Sequence, residues 1–202
     1  MQYEAADGKT WLNGMDNMKI LETRRTIRQY RQKPIPHKDL KKMVNAARLA
    51  PSARNIQPLE YVVVDSAGPL KEMFGCMGFG GGIKSFRGRE PSAYVIVLIN
   101  KYLSSKWQAY DCGMAVENMA IAAWGMGIGS CILGRINKER IRQLLSIPDK
   151  YDIDLVVALG YPAEKPVAED MKGQSVDYHR DANGTLHVPK RRMKDILHRN
   201  GF

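Results

Sequence analysis

A chain of 202 residues with 44% hydrophobic content is long enough to close one substantial core, and residues 1–202 are expected to form a single domain. Its net charge of +10 implies an anionic partner, which could be a nucleic acid, a membrane surface or a phosphorylated cofactor. No apolar run approaches the roughly 20 residues of a membrane span, and the first residues lack a basic region leading into an apolar one, so a cytoplasmic protein away from the membrane is expected.

Cys76, Cys112 and Cys131 are odd in number and form no Cys-x-x-Cys pair, which predicts reduced, buried thiols. The four histidines, His37, His179, His187 and His198, are scattered without ligand spacing, and no metal site is expected. The positive charge gathers at two places, Arg24, Arg25, Arg28 and Arg31 near one end and Lys190, Arg191, Arg192 and Lys194 near the other. Two clusters suit a compact phosphate pocket better than the long basic stripe a nucleic-acid binder needs.

In chain order, residues 1–14 are unperiodic and read as a loosely held arm. Met18, Ile20 and Leu21 predict a short helix running into Glu22-Thr23-Arg24-Arg25-Thr26-Ile27-Arg28. Arginine matches phosphate with a planar fork and Thr26 adds a neutral donor, so Arg24, Arg25 and Thr26 suit one phosphate while Arg28 reaches inward. A solvated helix end is the plainer alternative. Leu40, Met43, Val44, Ala47 and Ala50 recur at three- and four-residue spacing, which predicts a helix over about 38–50, stopped by Pro51.

The stretch Ala50-Pro51-Ser52-Ala53-Arg54-Asn55-Ile56-Gln57-Pro58 follows, a turn held between two prolines and leading into the predicted strand Leu59–Val64. Ser52, Asn55 and Gln57 therefore sit where a helix meets a strand. Amides there both donate and accept, which suits the edge of a planar heterocycle, though they also serve to satisfy turn backbone. Residues 69–74 predict another short helix, and the Gly-rich run 78–85 fails phosphate-loop spacing because Ile83 precedes Lys84. That run reads as a mobile loop bordering a pocket.

Ala93–Ile99 is apolar throughout and predicts a strand covered on both faces. A long helix from about Ala109 to Gly125 carries apolar residues around its circumference, as a helix at the centre of a dimer needs. The glycines of Gly125–Ser130 lack dinucleotide spacing and follow a helix, which rejects a Rossmann reading. Cys131–Gly134 reads as extended, ending where the Gly134 amide can approach a ligand. Asn137 caps a helix carrying Ile141, Leu144 and Leu145 that Pro148 ends, Leu155–Gly160 is a buried strand, and 165–188 is polar and irregular.

Taken together, these pieces resemble the FMN-dependent nitroreductase family from about Met18 to Leu197. Four separated motifs carry the likeness: Arg24–Arg28, Ala50–Pro58, Gly127–Gly134 with Ala158–Pro162, and Pro189–Arg192. The resemblance implies an α+β fold with a central, mostly antiparallel sheet flanked by helices, in an intertwined homodimer with FMN at the subunit interface. By position, Arg24, Arg25, Thr26, Lys190 and Arg192 would hold the phosphate and Arg28 would approach the pyrimidine side of the ring. Ser52 and Asn55, with Gln57 beside them, would come from the other subunit, and the backbone of Leu133 and Gly134 would face the flavin edge. Residues 189–202 would extend onto the partner.

The implied activity is ping-pong hydride transfer from NADH or NADPH through flavin N5 to a nitroaromatic, a quinone or a related electron-poor acceptor, with no side chain acting as nucleophile or general acid. A flavin-binding carrier or sensor without efficient turnover is the alternative. Residues 78–89 and 102–108 would shape the acceptor pocket, with Lys84 and Arg87 facing cofactor or substrate. So short a link at 102–108 implies an open pocket with broad acceptor use.

Overall fold

The structure, a computed structural model, describes residues 17–79, 87–103 and 105–202. The arm 1–14, Lys84, Phe86 and most of the Gly-rich run lie outside the described residues.

The architecture follows from one strand. In β3 (Ala93–Asn100) every residue but the last is buried, so both faces must be covered. Alternation then sends Ala93, Val95 and Val97 into one core and Tyr94, Ile96 and Leu98 into another. The first core is closed by α2 (His37–Arg48) through Leu40, Met43 and Ala47, and by α4 (Gln108–Gly125) through Cys112, Ala115, Val116 and Met119. The second is closed by Met73 of α3 (Ala67–Phe74) and Ile141 of α5 (Lys138–Leu145). The result is an α+β fold with a sheet between two helical layers.

The sheet is antiparallel throughout. β3 pairs on one side with β2 (Leu59–Val64) and on the other with the long β5 (Tyr151–Pro162). β5 in turn receives β4 (Gly129–Leu133) over Val156–Gly160 and β1 (Tyr30–Arg31) at Tyr161 and Pro162. Two glycines let the Arg24–Tyr30 segment lie close to this sheet. A Cβ on Gly129 would stand 2.5 Å from Ile27 Cγ1, and one on Gly160 would stand 2.6 Å from Tyr30 Cδ1. Ile27 and Tyr30 are fully buried as a result.

Several elements differ from the sequence expectation. The first helix, α1 (Asn17–Thr23), ends before the arginines, so Arg24–Arg28 is an extended segment bridged to β4 through Thr26 and Ser130. α2 ends at Arg48 with a helical Leu49 (φ −83°, ψ −4°) as its C-cap, two residues short of Pro51, which disfavours helical backbone at Ala50. α5 stops at a left-handed Ser146 (φ 52°, ψ 41°), two residues before Pro148, while its Asn137 cap accepts from Arg140 N as expected.

The largest difference is in 165–188, expected to be irregular. It supplies two strands and the start of a third in a separate mixed sheet, β6 (Val167–Asp170), β7 (His179–Arg180) and β8 (Leu186–Lys190). Here β8 is central, parallel to β6 and antiparallel to β7. Only Leu186 of its three strands is fully buried, so almost no apolar alternation marks them in the sequence. Residues 189–190 thus pair within their own chain, while 191–202 is largely exposed, including Met193, Leu197 and Phe202.

Candidate functional site

Four cations meet at one concavity. A cavity of about 230 Å³ is lined by Arg24, Arg25, Thr26, Arg28, Tyr178, Val188 and Lys190, with no carboxylate in its wall among the described residues. Residues 162 positions apart in sequence, Arg28 and Lys190, are brought together by the extended Arg24–Arg28 segment on one side and β8 on the other.

Each arginine is held by a different partner. Arg24 Nε lies 3.0 Å from Glu117 Oε1 on α4. Arg25 donates from its two terminal nitrogens to the carbonyls of Arg24 and Glu22, the latter at 2.6 Å. Arg28 stands over the Tyr178 ring, 5.3 Å from its centroid. The Nε atoms of Arg25 and Arg28 are nevertheless buried with no hydrogen-bond partner. Burial, and then the charge of Arg24, pull Arg25 below the ordinary guanidinium value. Buried donors without acceptors, among like charges, are a standing cost that an incoming anion with several oxygens relieves.

The backbone of this segment is fixed from a distance. Glu164, just past β5, accepts from Arg28 N at 2.6 Å and Gln29 N at 3.2 Å through Oε1, and from Arg180 Nη2 at 2.8 Å through Oε2. Its side chain is 7% exposed. On the other side, Tyr30 donates its hydroxyl to the Ile27 carbonyl. Behind the segment, burial pushes the Cys131 thiol up to about 11, with Arg28 opposing and Glu164 reinforcing the shift. All three cysteines are free and buried.

Ser52, Asn55 and Gln57 lie elsewhere. The short turn Ala53–Asn55 holds Arg54, Asn55 and then Gln57 at φ of 54°, 56° and 55°, three left-handed non-glycine residues within four positions. Ser52 Oγ accepts from Gln57 N at 3.0 Å, Gln57 Nε2 donates to Asn55 O at 3.2 Å, and Ala53 N donates to Asp111 Oδ1 at 2.8 Å. Among the described residues the Asn55 amide side chain makes no hydrogen bond, and both Asn55 and Gln57 are exposed. This loop borders its own cavity of about 160 Å³ with Ala47, Tyr61 and Asp111, which shares no lining residue with the cation cavity.

Leu133 is buried at the end of β4, opposite Val156, and Gly134 after it is exposed. A Cβ on Gly134 would meet only Leu155 Cδ2, at 3.6 Å. Arg192 is not part of the cation cavity; its Nε lies 2.8 Å from Asp195 Oδ2. A further cavity of about 550 Å³, lined by Arg31, Gly88, Arg89 and Lys165 among others, lies on the Tyr30 side of Glu164. Arg87 is not among the residues that line these three cavities.

Against known proteins, the model of the Nitroreductase family matches residues 21–74 and 88–161, more than half of the chain. The chain belongs to the nitroreductase family. A protein of Archaeoglobus fulgidus provisionally named NADH dehydrogenase/NAD(P)H nitroreductase is 37% identical over 156 residues, 73% of this chain and 86% of its own. A protein of the same provisional name from Methanothermobacter thermautotrophicus is 30% identical over 82% of this chain and 86% of its own. Among solved structures, an FMN-dependent nitroreductase from Clostridium difficile superposes with a TM-score of 0.67 at 25% identity, covering 92% of this chain and 99% of that one.

Four residues of this nitroreductase-family chain leave no mark in the sequence. Tyr178 and Val188 enter the cavity from a stretch read as irregular, and Glu164 acts on a backbone 136 residues upstream. Asp111, buried in the first turn of α4, anchors the 52–57 loop in the same hidden way.

Proposed function

We propose that this chain is an FMN-dependent NAD(P)H oxidoreductase that reduces nitroaromatics, quinones or related electron-poor compounds. The observation that carries the reading is the cavity in which Arg24, Arg25, Thr26, Arg28 and Lys190 meet. Its buried, partnerless Nε atoms on Arg25 and Arg28 fit a phosphorylated, ring-bearing cofactor, and the family's FMN-dependent member supports FMN as that cofactor. When bound, FMN supplies hydride-transfer chemistry, alternating between NADH or NADPH and the acceptor in ping-pong turnover.

The chain's residues bind and orient. Arg24, Arg25, Thr26 and Lys190 take the phosphate, with Arg192 available once it leaves Asp195. Arg28, fixed through Glu164, turns toward the ring. Ser52 and Gln57 line a different cavity and Asn55 stands exposed between them, so we assign all three to the flavin of a second copy, with the Leu133–Gly134 backbone at the flavin edge. A homodimer also gives occupants to the exposed Trp107, Tyr110 and Met114 on and beside α4, and to the tail through Met193, Leu197 and Phe202. The three unpaired cysteines suit a cytoplasmic setting.

The test is a visible spectrum of the purified, desalted protein followed by anaerobic NADH or NADPH. A flavin spectrum that bleaches rapidly supports the oxidoreductase. One that does not bleach favours the carrier or sensor, and no flavin after reconstitution overturns the reading. Arg28→Ala removes a positive charge worth about 1.5–3 kcal/mol as a charged hydrogen bond, so the bound flavin's midpoint potential should fall by about 30–60 mV. An unchanged potential in a variant that still binds flavin would refute the role given to Arg28.

A further inference from the structure

We propose that the small sheet carries a divalent-metal site of the zinc class, with His179, His187 and Glu169 as ligands and Asp181 behind them. The spacing of these residues in the sequence gives no hint of it; the strand register does. Alternation along β8 turns Val188 and Lys190 to the cation cavity and His187 to the opposite face. His179 of β7 stands directly across from His187, and Glu169 of β6 lies two residues beyond Val167, the partner of His187. Three strands thus present one potential ligand each on a single face.

The geometry is close to what a metal needs. One ligand atom from each of the three side chains lies within 4.8 Å of the others. His187 Nδ1 is 2.9 Å from Glu169 Oε2, and the His179 and His187 rings lie nearly parallel, 5.0 Å apart at 12°. Ligands about 2.0–2.2 Å from zinc stand a little over 3 Å apart in a tetrahedral site. The exposed His179 ring closes the set by moving inward about 1 Å and rotating out of the stack, so that its in-plane nitrogen lone pair converges on the same point.

The other nitrogen of His187, Nε2, faces Asp181 Oδ2 at 3.4 Å. Asp181 Oδ1 meanwhile accepts from Asn183 N at 2.9 Å and Thr185 N at 2.8 Å, so a tight turn fixes that carboxylate. A carboxylate held behind an imidazole is the arrangement that sets tautomer and orientation in ligating histidines. Two imidazoles and one carboxylate, with further positions left to water, form a donor set suited to Zn²⁺ and not to the oxygen-seeking Mg²⁺ or Ca²⁺.

Such a site would clip together strands of four, two and five residues whose other face holds Val188 and Lys190 against the cavity. Only this consequence depends on the proposed function; metal binding does not. The experiment is calorimetric titration of ZnCl₂ into the full chain after EDTA treatment and desalting, with no flavin added. One Zn²⁺ per chain is expected, with affinity lowered at least 100-fold in His179→Ala and in His187→Ala. Asp181→Asn should lower it about tenfold.

His179 is exposed, so His179→Ala should keep its fold, checked by circular dichroism. Absence of binding in the unmodified chain would overturn the site. Unchanged binding in a folded His179→Ala variant would also overturn it, and loss of that binding on thiol alkylation would place the metal on the cysteines. Flavin binding by the same preparation separates failure of this site from failure of the oxidoreductase reading.

Discussion

At the cavity between Arg24 and Lys190 the chain gathers like charges, whereas at the Ser52–Gln57 loop it gathers backbone strain. The first region holds its geometry through side chains from distant elements: Glu117 on Arg24, Glu164 under Arg28, and Tyr178 beside it. The second holds left-handed residues between α2 and β2, with Asp111 pinning its first amide. A charge cluster is thus sensitive to loss of a remote partner, and a strained loop to relaxation of its own backbone.

The largest expected effect tests the remote partner. Glu164→Ala leaves the amides of Arg28 and Gln29 and the guanidinium of Arg180 without their shared acceptor, in a place where the carboxylate is 7% exposed. Hydrogen bonds to a charged acceptor contribute about 1.5–3 kcal/mol each and two amides lose theirs, so urea unfolding should show a loss of about 3 kcal/mol or more. Glu164→Gln keeps an acceptor for the amides and should lose less. Equal stability in Glu164→Ala and the parent would mean that the Arg24–Arg28 segment is held by Ile27 and Tyr30 packing alone.

Next in size is a contrast between two cations of the C-terminal motif. Lys190 lines the cavity, while Arg192 is committed to Asp195. A charged hydrogen bond contributes about 1.5–3 kcal/mol, so Lys190→Ala should weaken FMN binding by roughly 10- to 150-fold in a fluorescence titration. Arg192→Ala should change it less than about threefold, as is usual for an exposed ion pair worth under ~1 kcal/mol. The reverse order would show that the tail rearranges on binding and brings Arg192 inward.

These contrasts also mark what the sequence could disclose. β3 is legible because seven consecutive buried residues need no partner to be recognised, and α2 because Leu40, Met43 and Ala47 repeat on one face. Arg24, Arg25, Thr26, Arg28 and Lys190 are legible as clusters of suitable donors, and the fold lines one cavity with all five. The small sheet is hidden because its strands are short and mostly solvated, which also hid Tyr178, Val188 and the meeting of His179 with His187. Glu164 and Asp111 are hidden for another reason: each is an acidic residue that fixes a loop through backbone amides, and any residue type supplies an amide.

Asp111→Ala sharpens the loop side of the comparison. It leaves Ala53 N without its acceptor and opens space beside a cavity already bordered by Ser52 and Gln57. An unsatisfied buried amide costs about 1–3 kcal/mol and the half-buried Ala53 amide the lower end of that, so the effect should appear as faster hydrogen exchange at 53–57 and as weaker flavin binding. Asp111→Asn retains a carbonyl oxygen toward Ala53 and should restore most of both. If exchange in the loop is unchanged in Asp111→Ala, the two flanking elements alone fix its path.

The smallest effect has the opposite sign. A left-handed conformation costs a non-glycine residue about 1–2 kcal/mol, and Arg54 adopts it at φ 54° with its side chain exposed. Glycine removes that cost but adds about 0.5–1 kcal/mol of unfolded-chain entropy. Arg54→Gly should therefore stabilise the protein by under ~1 kcal/mol, read as a small rise in the urea midpoint. Asparagine tolerates this region through local hydrogen bonding, so Asn55→Gly, at φ 56°, should gain less than Arg54→Gly. If the loop is strained in order to present Asn55 outward, Arg54→Gly should gain stability and lose flavin affinity together. A gain in stability with affinity unchanged would instead mean that the left-handed turn serves only to join α2 to β2.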